Sequence, residues 1–208
     1  MAESLTGDAT LRLAEFDTPP ADPLPLLREW LDAAVDAAVR EPGAMVLATA
    51  DSDGRVSSRV VLLKELRPSG LVFTTHHASR KGRDLAARPY GSATFYWRER
   101  LQQVNVAGPV QPLNSAESDA LFAERPEAAK ATTAASRQGD PLDDEGHLRQ
   151  RAADLLAAGT PIDRPPGWGG YVLRPAAVEF WYGSPDRLHR RLRYEHDGRT
   201  WSYQRLQP

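Results

Sequence analysis

Residues 59–83 read RVVLLKELRPSGLVFTTHHASRKGR. Two apolar runs, 60–63 and 71–73, flank Arg67-Pro68-Ser69-Gly70, whose proline and glycine suit a turn, so the pattern predicts a hairpin. Just beyond the second run, Thr74, Thr75, Ser79, Arg80 and Lys81 gather hydroxyl donors and two fixed positive charges, while Arg59 and Lys64 bracket the preceding strand. A phosphate suits this mixture, because charge-assisted hydrogen bonds are stronger than neutral ones and a guanidinium binds in a bidentate fork. Charge alone also fits a solvated helix face. The stretch therefore defines a candidate anion site at the end of a hairpin.

Upstream, residues 22–40 place Leu24, Leu27, Trp30, Leu31, Ala34 and Val35 at helical spacing after Pro23, predicting an amphipathic helix that Glu41-Pro42-Gly43 ends. Ala44–Ala50 is a short apolar strand, 51–54 a turn and 55–66 a second strand; with 71–75 they predict an antiparallel meander. Downstream, 79–87 reads as a short helix whose N-terminal amides add partial positive charge to the cations beside them. Tyr90–Trp97 and 101–113 are further strands. Neighbouring strand residues face opposite ways, so only one of Gln102 and Gln103 faces a given site. Segments 115–125, 127–138 and 144–158 read as helices, the last with Leu148, Ala152, Leu155 and Leu156 on one face and with Asp143-Asp144-Glu145 as its acidic first turn. Four closing strands follow at 169–174, 177–182, 190–195 and 200–205, with a hairpin turn at Asp197-Gly198. The whole predicts a mainly β fold with helices, α+β, closed into a barrel because closure removes exposed edges.

A chain of 208 residues suits one domain, with the polar, proline-containing residues 1–22 as a flexible N-terminal arm and 23–208 as the folded unit. The net charge of -2 gives no overall basic field for nucleic acid. Cysteine is absent, which excludes disulfides, thiolate metal sites and a cysteine nucleophile. The first twenty residues lack the apolar segment of a secretory signal and no apolar run reaches the roughly 20 residues of a membrane span, so a cytoplasmic protein is expected. His76 and His77 diverge on a strand and have no third ligand at suitable spacing, so no metal is expected.

A second cluster, EFWYGSPDRLHRR, occupies 179–191. If 187–191 runs extended, Arg187, His189 and Arg191 share one face. Such a trio either meets solvent, as a basic edge strand, or faces an anionic ligand, with Trp181 able to stack on a planar ring.

Taken in order, RVVLLK at 59–64, FTT at 73–75, SRK at 79–81, Gln103, WGG at 168–170, EFW at 179–181, RLHRR at 187–191 and RLQP at 205–208 resemble the pyridoxamine 5'-phosphate oxidase family over residues 22–208. The resemblance implies a split β-barrel homodimer with FMN at each subunit interface. By that analogy Arg59, Val60, Val61, Leu62 and Lys64 contact FMN from one strand. Thr74, Thr75, Ser79, Arg80 and Lys81 do so around the phosphate, and Gln103, Gln138, Trp181 and Arg191 complete the set. Lys64, Arg125, Arg187 and His189 match substrate positions. Arg187 and His189 hold the substrate over the flavin, a hydride passes to FMN, and oxygen reoxidises it to give hydrogen peroxide.

In the vitamin-forming oxidases a Lys, Tyr, Arg and Ser set holds the substrate phosphate; here Lys64 and Arg125 remain, but Leu121 and Ala129 stand at the tyrosine and serine positions. The segment that covers the substrate in those enzymes has no clear match in residues 1–22. Blocks such as FYWRE at 95–99, QQ at 102–103, TH at 75–76, KGR at 81–83 and SRQ at 136–138 are more similar to the flavin oxidases of phenazine biosynthesis. The first expectation is therefore an oxidase of dihydrophenazine carboxylates. The alternatives are a pyridoxine/pyridoxamine 5'-phosphate oxidase and a split-barrel protein that binds flavin or haem without turnover.

Overall fold

Period-two alternation sets the ten strands of this chain, and a few polar caps set its helices. The computed structural model describes residues 5–208. In chain order the elements are α1 (Pro23–Asp36), β1 (Ala44–Ala50), β2 (Val56–Leu62), β3 (Glu65–Arg67), β4 (Gly70–His76), α2 (Arg80–Ala87), β5 (Tyr90–Trp97) and β6 (Gln102–Pro112). They continue with α3 (Ser115–Ala123), α4 (Glu127–Ala135), α5 (Glu145–Ala157), β7 (Trp168–Leu173), β8 (Ala177–Tyr182), β9 (Arg190–His196) and β10 (Trp201–Leu206).

The main sheet runs β10-β9-β8-β6-β5-β1-β2, and β3, β4 and β7 form a second path that joins it through β6. All pairings are antiparallel. The long strand β6 makes the junction: Gln102 to Ala107 pair with β8, whereas Val110 to Pro112 pair with β7. Gly108 sits at the changeover, where a Cβ would lie 1.9 Å from the Arg174 carbonyl oxygen, so no larger residue fits. This is the split barrel the sequence implied. Its interior is apolar, with Phe73, Phe95, Trp97, Phe180, Leu192 and Tyr194 all buried. Helix α1 closes one side with Leu26, Leu27 and Trp30, the indole meeting Phe180 edge-on at 5.0 Å.

The expected hairpin of 60–63 with 71–73 is replaced by a change of partner. The Leu63 N–H donates to the Gly43 carbonyl at 2.8 Å, and the Lys64 N–H donates to the Val72 carbonyl at 2.8 Å. The strand expected over 55–66 is thus two strands on two paths. The turn at 67–70 closes β3 onto β4, leaving β2 paired only with β1 at the sheet's edge, so the meander is two hairpins.

The helices match their caps more closely than their expected ends. Asp22 accepts from the Leu24 N–H ahead of α1, Asn114 and Glu117 form a reciprocal capping box on α3, and Asp144 caps α5 through the His147 N–H. Helix α5 leans on α4 and buries no residue fully; Leu148, Ala152 and Leu155 are half-buried and Leu156 is exposed. Residues 5–22 lie along the barrel, with Phe16 fully buried. The Tyr182 hydroxyl donates to the Asp8 carbonyl and accepts from the Leu11 N–H, each at 3.1 Å, and Arg190 donates to Leu13 O and the Asp17 carboxylate.

Candidate functional site

Because β2 ends the main sheet, its open side borders a cleft of about 630 Å³ that β4, α2 and the stretch after α4 complete. Arg59, Val60, Val61, Leu62 and Lys64 line it from β2 and the residues that follow. Thr74, Thr75, Ser79, Arg80, Lys81, Arg125 and Gln138 line the rest. Sequence positions up to 79 residues apart meet there because β4 delivers the chain straight into α2.

Ser79 caps α2 by accepting from the Gly82 N–H at 3.3 Å. Gly82 itself admits a close approach, since a Cβ there would lie 2.1 Å from the His77 carbonyl oxygen. The packing draws Lys81 inward until it is only 8% exposed. Its ammonium donates to Thr75 Oγ1 at 3.1 Å, Gln138 Oε1 at 3.3 Å and Ser79 Oγ at 3.4 Å, all neutral acceptors. Burial and the neighbouring Arg59 push its pKa down. Burial likewise lowers Arg59, with Asp84 opposing the shift and Arg80 adding to it. His76 is lowered by burial, then by Lys81, Arg125 and His77.

Arg125 forms the other end of the cleft. It stacks over the Trp168 ring at 5.2 Å and donates to Thr133 Oγ1 at 3.1 Å, while its Nε is buried without a partner. Half-buried cations with neutral neighbours gain from an anion, because desolvation has already weakened their hydration. The donor set fits the phosphate of a flavin nucleotide at Lys81 and α2, and a second anion at Arg125.

Leu121 packs in an apolar cluster with Val72, Phe122, Trp168 and Val172, and Ala129 offers only its carbonyl to Arg125 at 3.4 Å. A separate cavity of about 680 Å³ lies between α3, α4 and α5, but its cations are already paired: Arg164 with Asp119, and Lys130 with Glu127.

Gln103, Trp181, Arg187, His189 and Arg191 do not line the cleft. Gln103 pairs with Trp181 and Trp181 with Arg191 across β6, β8 and β9, so the three form one row on the sheet's outer face. Gln102 faces inward, fully buried, which settles which amide is available. The His189 ring lies 4.9 Å from the Trp181 ring, and its Nδ1 accepts from the Ser184 N–H at 3.0 Å, so a neutral ring carries its proton on Nε2. Residues 187–191 are not one extended run: Arg187 has φ of 68°, in the left-handed region, and β9 begins at Arg190. The shared face expected for Arg187, His189 and Arg191 is replaced by a turn and a strand end. Arg191 also bonds Glu179, with NH2 at 2.7 Å.

Along the main sheet β6, β5 and β1 stand between β8 and β2, and the cleft takes no lining residue from the row on β6, β8 and β9. The two clusters are therefore separate halves within one chain. Between them the outer face exposes Val46, Val60, Leu62 and Tyr96.

Sequence reading missed Thr49, Ser57 and Asp84, a polar knot around Arg59 in which Thr49 and Asp84 are buried and Ser57, half-buried, lines the cleft. An acid three residues after Lys81 was the one local signal.

Residues 31–157 match the family model described as pyridoxamine 5'-phosphate oxidase, and residues 168–208 match the pyridoxine 5'-phosphate oxidase C-terminal dimerisation region. A dihydrophenazinedicarboxylate synthase from Burkholderia lata is 48% identical over 99% of this chain and 97% of its own. A pyridoxine/pyridoxamine 5'-phosphate oxidase from Actinobacillus succinogenes is 44% identical over 90% of each chain. Among solved structures, PhzG from Burkholderia lata in complex with tetrahydrophenazine-1-carboxylic acid superposes with a TM-score of 0.95 at 47% identity, covering 97% of this chain and all of that one.

Proposed function

The chain belongs to the pyridoxamine 5'-phosphate oxidase family, and we propose that within it this protein is an FMN-dependent oxidase of reduced tricyclic carboxylates of the dihydrophenazine type. The observation that carries the choice is the anion end of the cleft: Arg125 keeps a half-buried guanidinium there, while positions 121 and 129 supply no hydroxyl. A phosphate monoester missing two hydrogen bonds to a charged group forfeits roughly 1.5–3 kcal/mol for each, whereas a planar carboxylate asks only for the guanidinium fork.

Lys81, Arg80, Arg59, Ser79 and Thr75 would hold the FMN phosphate, and the rest of β2 would border the remainder of the cofactor. What FMN supplies when bound is a two-electron acceptor that takes hydride from the substrate and is reoxidised by oxygen to give hydrogen peroxide. The chain's share is orientation. Gln103, Trp181 and Arg191 would come from a second copy packed on the apolar outer face, because within one chain they do not line the cleft. The match of residues 168–208 to a dimerisation region supports that assembly. Arg187 and His189 would then reach the substrate from the partner, His189 offering its Nε2–H as a donor.

Anaerobic flavin reduction in the FMN-loaded protein tests the choice. Bleaching of the flavin absorbance by a dihydrophenazine carboxylate and not by pyridoxine 5'-phosphate supports it; the reverse establishes the vitamin activity, which Lys64 at the cleft favours. No reduction by either leaves a flavin-binding protein without turnover and refutes the oxidase reading.

A further inference from the structure

We propose that Asp84 is a positioning residue for the phosphate end of the cleft, acting through Arg59. The proposal rests on the reading that this cleft takes FMN. Asp84 is 4% exposed, sits on α2 three residues after Lys81, and does not line the cleft. Its carboxylate accepts from Thr49 Oγ1 at 2.6 Å and from Ser57 Oγ at 3.2 Å. Those same two hydroxyls accept from Arg59, Thr49 Oγ1 from NH1 at 2.7 Å and Ser57 Oγ from NH2 at 2.5 Å. Arg59 NH2 lies 3.9 Å from the carboxylate itself.

The direction of every proton in this bracket follows from the carboxylate. A hydroxyl has one hydrogen, and Asp84, being acceptor-only when ionised, takes the hydrogen of both Thr49 and Ser57. Each hydroxyl then turns a lone pair towards Arg59, which has nothing but hydrogens to give. Arg59 NH1 also donates to the Leu47 carbonyl at 3.2 Å. Three of its five N–H groups are thus engaged behind the cleft, leaving two for a ligand in front.

The arrangement answers an electrostatic problem that the site creates for itself. Arg59, Arg80 and Lys81 repel one another before any anion arrives, and a counter-charge placed in the cleft would compete with the ligand. Placed behind Arg59, Asp84 offsets the repulsion and fixes the guanidinium without occupying the binding surface. Both hydroxyls donate to the one oxygen Oδ2, which is also the atom nearest Arg59, so an amide could keep these bonds, whereas an alanine at position 84 removes the acceptor, frees the two hydroxyl hydrogens to turn, and leaves Arg59 without its fixed orientation.

The test is Asp84→Ala in the full-length protein stripped of flavin, titrated with FMN and with riboflavin by flavin fluorescence, alongside Thr49→Val, whose hydroxyl is buried and does not line the cleft. The expected result is a rise in the FMN Kd of roughly tenfold in both variants, with riboflavin affinity unchanged, since only FMN carries the phosphate. Equal losses for the two flavins would mean a general structural role and overturn the proposal, as would unchanged or tighter FMN binding. If Asp84→Ala does not fold, the Thr49→Val variant decides by the same two outcomes. A wild-type chain that binds neither flavin overturns the reading of the cleft, and the proposal with it.

Discussion

Lys81→Met keeps the stem volume and removes the charge, and the structure assigns that one change two effects of opposite sign. In the flavin-free protein the ammonium is buried among Thr75, Ser79 and Gln138, with burial and Arg59 both disfavouring its charge. Replacing it with an apolar side chain relieves that cost and leaves hydroxyls that can bond one another, as Thr75 and Ser79 already do at 3.3 Å. Stability should hold or rise, and a gain of about 1 kcal/mol would lift Tm by roughly 2–4 °C for a chain of this size. FMN binding should weaken by the worth of a charge-assisted hydrogen bond, about 1.5–3 kcal/mol, or roughly 10- to 150-fold in Kd. Differential scanning calorimetry of the flavin-free protein and fluorescence titration with FMN and riboflavin read the two effects. A variant that loses several degrees of Tm, or that binds FMN as tightly as wild type, refutes the reasoning.

Other perturbations test other parts. Val60→Asp places a charge on the exposed outer face and should convert the dimer to a monomer in analytical ultracentrifugation while leaving the secondary structure intact. Tyr182→Phe removes two hydrogen bonds to residues 5–22, each worth about 0.5–1.5 kcal/mol, and should lower the rate of flavin reduction without changing FMN affinity, because Tyr182 precedes the 183–189 turn. Burial lowers the pKa of both His76 and His77 below the ordinary 6.5, so their neutral forms favour the fold above that pH. As pH falls below 6.5 the unfolded chain takes up protons first and the flavin-free protein should lose stability. His76→Gln/His77→Gln should flatten that slope in urea titrations at stepped pH.

Local patterning carried the strands and the anion cluster into view, because alternation and the crowding of Thr74 through Lys81 are short-range features. The change of partner at Leu63 and Lys64 left no trace in the sequence: a strand that swaps sheets keeps its period, and only the bonds to Gly43 and Val72 reveal it. The left-handed turn at Arg187 was equally hidden, since an arginine gives no warning of positive φ. Thr49, Ser57 and Asp84 are spread over 35 positions and meet only through sheet register and helix packing. Leu121 stands where the analogy places a tyrosine, and its side chain packs against Phe122 and Trp168, so that position offers no hydrogen-bond donor.

The proposed flavin site is built from two chains, one giving Lys81 and the other Arg191. Its most direct measurement is the FMN stoichiometry of a purified heterodimer of Lys81→Met and Arg191→Gln subunits, set beside the two variant homodimers. The account predicts weak binding in both homodimers and one tight site per heterodimer, formed by the intact half of each chain. Two weakened sites in the heterodimer, each matching its own variant homodimer, would place both halves in one chain and contradict it.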